Sequence, residues 1–250
     1  MKLFILFRCL GMSSLLAMAM PVNATDSSSA DEWEFDAAIY LWGASIDARP
    51  VGGDSIHISF SDIIDNLDMA MMTTLGARKG KWSLLTDLIY LDIETDQKGT
   101  AELINQPIRT DVDVEMEAWI VTAAGGYNLV ETDKYSLDLL AGARYLWLEI
   151  PLEFQIGALK EKASPFGEHW NGIVGVRGKL DLADKWYMSY YLDAGTGDSD
   201  FTWQGVAGLN YQFRKVTAAF GYRYLDFDID GPEIDDITIK GPYAGVKFAF

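Results

Sequence analysis

Cysteine is nearly absent from the chain: of 250 residues only Cys9 carries a thiol, and it lies in an apolar N-terminal stretch. If that stretch is removed, the remaining protein must be stable without disulfides, which argues against a small disulfide-stapled scaffold. Basic residues are also scarce, at 20 Lys and Arg against 37 Asp and Glu, for a formal net charge of -17. Such a balance disfavours nucleic acid as a partner, because a phosphate backbone is held by Lys and Arg. Histidine occurs only twice, at His57 and His169. Beyond the first two dozen residues no stretch approaches the roughly 20 consecutive apolar residues that a membrane-crossing helix needs.

What is present is aromatic and glycine-rich: 8 Trp, 12 Tyr, 12 Phe and 23 Gly, a composition of short strands and tight turns. At the N-terminus Lys2 and Arg8 flank an apolar opening, "CLGMSSLLAMAM" has the length of a signal core, and "VNA" supplies small residues for cleavage after Ala24. The expected organisation is a secretory signal over 1–24, a short segment over 25–32, and one domain over 33–250. A lipoprotein role for Cys9 is disfavoured by the bulky and charged residues before it. Cleavage takes Lys2 and Arg8 away, so that 18 basic residues face 37 acidic ones.

From residue 33 onward the dominant signal is alternation with period two. "WEFDAAIYLW" sets Trp33, Phe35, Ala37, Ile39 and Leu41 against Glu34, Asp36, Tyr40 and Trp42. "YSLDLLAGARYLW" sets Tyr135, Leu137, Leu139, Ala141, Ala143, Tyr145 and Trp147 against Ser136, Asp138, Gly142 and Arg144. About ten such segments follow one another, with Trp119 and Tyr127 as candidate markers of a bulge in the fourth. Short links at "RKGKW", "VETDKY", "LADKW" and "FRKV" interleave with longer ones over 48–66, 95–110, 157–167, "GTGDSD" and 230–236. This is the rhythm of a closed antiparallel transmembrane β-barrel of about ten strands, with eight as the alternative. An even count of strands implies both termini on the short-turn, periplasmic side of a Gram-negative outer membrane.

The position of aromatics says which face meets lipid. Trp82, Tyr90, Tyr135, Tyr145, Trp147, Trp186, Phe201, Trp203 and Phe213 stand at segment ends with aliphatic residues between them. Ten residues at about 3.3 Å each and a tilt of about 40° span roughly 25 Å, the height of the apolar band between two aromatic girdles. The opposite face carries Glu34, Asp36, Arg78, Asp87, Glu115, Glu117, Asp138, Arg144, Arg177, Lys179, Asp181, Asp193, Arg223 and Lys247. These charges are expected to line the interior and to pair with one another, a water-filled lumen being the other reading.

The last strand, "GPYAGVKFAF", puts Phe250, Phe248 and Val246 on its apolar face. With Tyr243 they resemble the C-terminal signature read by the barrel-assembly machinery. "IYLWGASIDA", "SFSDIIDNLDMAMM" and "ARKGKWSLLTDLIYLD" are similar to segments of small proteobacterial outer-membrane barrels, the loose group of opacity-type, OmpA-like and OmpW-like proteins. The resemblance implies an outer-membrane barrel beside lipid and lipopolysaccharide, and it brings no catalytic motif.

Chemistry is thinly signposted. His57 in "SIHIS" and His169 in "GEHWN" read as rim side chains, and neither forms the Asp-x-His pair of the ten-stranded surface proteases. "DFDIDGPEIDD" places Asp226, Asp228, Asp230 and Gly231 like the first half of a calcium loop, yet Ile237 stands where that loop needs a bidentate Glu. Alternate aspartates are also what a wet hairpin displays, so weak Ca2+ or Mg2+ association is the milder expectation, with no cofactor. "FSDIIDNLDM" offers Ser61 or Asp62 as a helix cap in the first long link. The functional expectation is a structural or surface-exposed membrane protein without catalysis. A narrow passive channel is the alternative, and a rim hydrolase the less favoured one.

Overall fold

The computed structural model describes residues 32–250 except 52–54, 66, 104–105, 150–151, 157–158, 164–166, 230 and 232–233; over 93–116 and 150–166 only backbone is described. The expected signal segment lies outside these residues. In chain order the strands are β1 (Glu34–Trp42), β2 (Ser45–Pro50), β3 (Ile56–Ile58), β4 (Leu67–Lys79), β5 (Trp82–Leu103), β6 (Gln106–Glu131) and β7 (Tyr135–Glu149). They continue with β8 (Leu152–Ile156), β9 (Leu159–Ala163), β10 (Glu168–Ala183), β11 (Trp186–Gly197), β12 (Phe201–Gln212), β13 (Val216–Asp228) and β14 (Ile234–Ala249). One short helix, α1 (Phe60–Asp65), precedes β4.

Closure is achieved by β1, which pairs antiparallel with β14 from Asp36↔Ala249 to Trp42↔Tyr243 and with β4 from Glu34↔Arg78 to Ile39↔Thr73. Among the described residues ten strands form the closed wall, in the order β1, β4, β5, β6, β7, β10, β11, β12, β13, β14. Closing the sheet leaves none of these ten strands as a free edge, which gives the backbone of the wall ladder partners on both sides. The terminal Phe250 is held as well, its N–H donating to the Phe35 carbonyl at 2.9 Å. At the short-turn end the β4–β5 turn needs glycine, because Gly80 sits at φ 56° in the left-handed region. Thr132 closes another turn, donating from Oγ1 to the Tyr135 carbonyl at 2.9 Å while accepting from the Tyr135 N–H at 3.0 Å.

One of the expected long loops is in fact largely strand, and two others contain strand. The 95–110 link is the continuation of β5 and β6, paired in register out to Leu103↔Gln106. The 157–167 link contains β9, which forms a hairpin with the preceding β8, itself joined to β6 at Val114↔Leu152. The 48–66 link holds the second half of β2, all of β3 and α1; β2 pairs with the upper part of β14, from Ser45↔Lys240 to Pro50↔Ile234. Backbone groups leaving the barrel still need partners, and extending the ladder supplies them. The bulge of β6 also sits elsewhere than at Trp119 or Tyr127: its register against β7 shifts between Asn128 and Val130.

Between bulges the side-chain parity of each strand is constant, but the character of the two faces is not. In the short-turn part of β13 the outward residues Ala218, Phe220 and Tyr222 are apolar or aromatic, and the inward Arg223 is buried. Above Tyr224 the outward residues become Asp226 and Asp228, while the inward ones become Leu225, Phe227 and Ile229, all buried. The same exchange occurs on β14, where Pro242, Val246 and Phe248 give way to Asp236, Thr238 and Lys240 outside and Ile237 and Ile239 are buried inside. β7 repeats it at Leu146 and Leu148 with Glu149 outside, and β5 at Ile89 and Leu91 with Asp92 outside. The wall thus crosses an apolar medium with polar side chains inward, and continues into water with apolar side chains inward.

That exchange moves Glu117 to a different face from the one expected. Its strand neighbours Ala118 and Ile120 are the buried inward residues, and Glu117 lies outside, close to the Tyr90 hydroxyl. The carboxylate stands above the aromatic boundary, where the outer face is wet and the inner face is the apolar core. Glu115 falls where only backbone is described.

Candidate functional site

Three charge clusters line the interior, two of them buried and the third partly exposed on its arginine side. Arg223 on β13 donates to Asp87 of β5 at 2.7 Å, to the Tyr40 hydroxyl of β1 at 2.8 Å and to Gln204 of β12 at 2.6 Å. Tyr40 and Thr74 in turn donate to Asp87, at 2.7 and 3.2 Å, and the guanidinium lies 4.8 Å from the ring of Trp42. These partners come from both sides of the β14–β1 junction, so the cluster ties together strands from opposite ends of the sequence. A guanidinium has five donors and no acceptor, and here carboxylate, phenol and amide oxygens all converge on it.

Around the wall, Arg144 of β7 pairs with Asp193 of β11 and donates to Thr122 and Thr202, each at 3.3 Å. Nearer the short turns, Asp138 accepts from Arg78 at 2.6 Å, Arg177 at 3.2 Å and Asn128 at 2.8 Å. At the short-turn mouth Lys247 meets Asp36 at 3.1 Å and Lys179 approaches Asp181 at 3.6 Å, both partly exposed, and Glu34 is exposed. Exposed pairs of that kind contribute little, about 0–1 kcal/mol each. The buried pairs are different, since separating either partner leaves a desolvated charge.

Above the polar clusters the interior is closed by an apolar layer in which Trp42, Ile63, Met72, Ile89, Leu146, Leu225 and Phe227 belong to one packed group. Leu225, Phe227 and, beneath them, Arg144 have 0% exposure. Sequence reading did not reach this layer, although "YLDFDI" carries its signal: Leu225, Phe227 and Ile229 share a parity with Arg223.

On the outside the aromatics form cross-strand pairs in two rows. Tyr90–Trp119, Tyr145–Trp170 and Trp203–Tyr224 lie toward the long-loop end, with centroids 4.5, 4.7 and 4.6 Å apart. Trp82–Tyr127 and Trp186–Tyr211 lie toward the short turns at 4.9 and 4.8 Å, and Phe213 joins Tyr211 at 4.7 Å. Tyr135, Trp147 and Phe201 also face outward. Eight residues separate Trp82 from Tyr90, and Trp203 from Tyr211. At about 3.3 Å per residue and a tilt of about 40° the rows are about 20 Å apart, which fits an apolar band about 25 Å tall once ring widths are counted. Trp119, Tyr127, Trp170 and Tyr224 complete these rows through register, a non-local property.

The remaining candidates are scattered. His57 of β3 is bound through Nδ1 to Asp47 of β2 at 2.5 Å, and Lys240 reaches the same carboxylate at 2.9 Å. These partners hold the Asp47 carboxyl below the usual carboxylate range, the bond from Lys240 first and that from His57 second. Ser59, two residues beyond His57, gives its hydroxyl to Asp62 at 2.6 Å. Nδ1 of His169 is buried without a protein hydrogen-bond partner among the described residues, and the Tyr191 hydroxyl is buried beside Asp193. Asp226 accepts from Thr238 at 2.6 Å, Asp228 is exposed, and Asp230 lies outside the described residues. The aspartate alternation that resembles a calcium loop is the outward parity of β13 in its wet stretch. Among the described residues no three metal-ligating side chains cluster. In the terminal strand Val246 and Phe248 face outward, and Tyr243 faces inward against Tyr40 with centroids 6.4 Å apart.

No protein-family model matches the sequence, and no curated protein is significantly similar to it. Solved structures with related architecture include the translocator domain of the autotransporter NalP from Neisseria meningitidis, at 14% identity and TM-score 0.48, covering 90% of each chain. The outer membrane protease OmpT from Escherichia coli is 10% identical with TM-score 0.48, covering 87% of this chain and 97% of its own. The attachment invasion locus protein Ail of Yersinia pestis is 10% identical with TM-score 0.37, covering 88% and 99%. All three likenesses lie below a TM-score of 0.5 and bear on no role of this chain. The closed antiparallel wall, its lipid-type outer belt and its two aromatic rows make this chain a transmembrane β-barrel of the outer-membrane kind.

Proposed function

We propose that the protein is a non-conducting outer-membrane barrel that carries a wet, acidic β-structure on the cell surface and has no catalytic role. One observation carries this reading: interior side chains of both the charged and the apolar layers are at 0% exposure, Arg144 in the first and Leu225 and Phe227 in the second. A hydrated passage leaves accessible surface on the side chains that border it, and a small barrel closed by its own side chains offers none. Above the outer aromatic row the strands continue as a water-type β-structure whose exterior carries Asp47, Asp92, Glu117, Glu149, Asp226, Asp228 and Asp236.

On this reading the long-loop end faces outward and both chain ends face the periplasm, with lipid and lipopolysaccharide around the belt. Tyr243, Val246, Phe248 and Phe250 serve as the recognition strand for the barrel-assembly machinery, and the acidic exterior associates weakly with Ca2+ or Mg2+. Kinship with the opacity-type, OmpA-like and OmpW-like barrels belongs to the same proposal. Purified protein refolded into a planar bilayer is the direct test. A silent membrane is expected at every holding potential, whereas reproducible unitary current steps would replace this function by that of a channel.

A further inference from the structure

The outer face is charged above the aromatic row on most strands, but not where β1 gives way to α1 and β4. Here Phe60 and Ile64, one turn apart on α1, are 45% and 52% exposed, and Met69 and Met71 are exposed on the outward side of β4. Register shows that this is a local departure: Met71 stands opposite Tyr90 of the aromatic row, and Met69 stands one step higher, opposite Asp92. The patch is continuous with the lipid belt below it, where Leu41 is 71% exposed and Ile39 66%. Phe60 sits directly on this junction, its ring edge at van der Waals distance from where a side chain on Gly43 would begin, beside the Pro242 carbonyl.

The helix has three faces. Ile63 is buried in the apolar layer that closes the barrel. Ser61 and Asp62 are exposed, and Ser59 bonds to both, at 2.8 and 2.6 Å. Phe60 and Ile64 point neither into that layer nor toward the polar cluster. An apolar pair on a short amphipathic turn, contiguous with a lipid-facing surface, matches an interfacial element that lies in the headgroup–acyl boundary.

We propose that α1, with Phe60 and Ile64, together with Met69 and Met71 of β4, is embedded in the outer-leaflet interface, so that the membrane rises higher on this side of the barrel than on the others. Because Ile63 of the same helix packs in the closing layer, lipid contact and closure of the barrel are joined in one element. The inference rests on the membrane-barrel reading, and the test separates the two.

The experiment places single cysteines, in a Cys9→Ser background, at Ile64, at Ser61 and at Leu139 in the middle of the lipid belt. Each is labelled with an environment-sensitive fluorophore in nanodiscs holding one barrel, and quenched with aqueous iodide or with lipids bearing a nitroxide at a shallow or deep acyl position. Ile64→Cys is expected to be blue-shifted, shielded from iodide and quenched most by the shallow nitroxide, at about 5–10 Å depth. Ser61→Cys is expected to be iodide-accessible, and Leu139→Cys to be quenched by the deep nitroxide. Iodide access at Ile64 with Leu139 shielded overturns the proposal and leaves the barrel in the membrane; iodide access at both overturns the membrane reading itself. Shielding of Ile64 that appears only in vesicles crowded with protein assigns the patch to a second copy and also overturns the proposal. Folding of each variant is checked by the mobility shift between unboiled and boiled samples, and Phe60→Cys replaces Ile64→Cys should the latter lack it.

Discussion

Replacing Arg223 by methionine removes the guanidinium that Asp87, Tyr40 and Gln204 share, while keeping an unbranched chain of similar length against Trp42. Among the described residues Asp87 is then left buried with two hydroxyl donors, Tyr40 at 2.7 Å and Thr74 at 3.2 Å, and no countercharge within hydrogen-bonding distance. Breaking a desolvated pair from one side costs about 3–5 kcal/mol, whereas a water-screened pair costs about 0–1. The two ranges do not overlap, so the measurement distinguishes a sealed charge cluster from a wet lumen. Urea titration of the barrel in lipid vesicles, followed by tryptophan emission and by the boiled-versus-unboiled gel shift, gives the stability difference. Adding Asp87→Leu to the variant is expected to recover part of the loss, with a coupling of about 0.5–3 kcal/mol, because the stranded carboxylate is gone. A loss under about 1 kcal/mol for Arg223→Met, or strict additivity in the pair, would refute the claim that this interior is sealed.

Other expectations follow from the exchange of faces along each strand. Leu139→Arg, outward in the belt, should cost about 2–4 kcal/mol in the same titration, while Asp228→Arg, outward in the wet stretch, should stay within about 0.5 kcal/mol; equal costs would contradict the boundary. Phe227→Ala empties part of the closing layer and should cost about 3–5 kcal/mol, and an unchanged midpoint would mean the layer is loosely packed. The Asp47 carboxyl is held below its ordinary value of 3.8 by Lys240 and His57. A depressed folded-state value stabilises at pH above the unfolded value and loses that contribution as pH falls through the folded one. Amide protection in β2 should therefore be flat down to about pH 4 and decline below it, and Asp47→Asn should abolish that decline. Since the group is partly exposed the effect is expected to be small and sensitive to salt.

Much of the architecture was legible because side-chain parity in a strand is a local property. Which residues share a face follows from backbone pleating alone, so Tyr135 to Trp147 fall on one side and Ser136 to Arg144 on the other without knowledge of the fold. Turn chemistry at Gly80 and Thr132 is equally local. The medium each face meets is not local. Glu117 and Asp87 are acids of equal intrinsic chemistry, yet Asp87 is buried beside Arg223 and Glu117 stands outside, because the strands rise past the membrane between their levels. That level depends on tilt, register and closure, which are set by pairing residues far apart in sequence.

Alone, then, the sequence determined an antiparallel barrel, its lipid belt and the supply of interior charges, since periodicity and aromatic position carry that information. Only the tertiary structure decided which charge meets which, and that the strands exchange their inner and outer character above the aromatic row. It also decided that an apolar layer closes the interior: ring closure brings Tyr40 to Arg223, and Ile63 to the layer containing Phe227, across separations that no local pattern encodes.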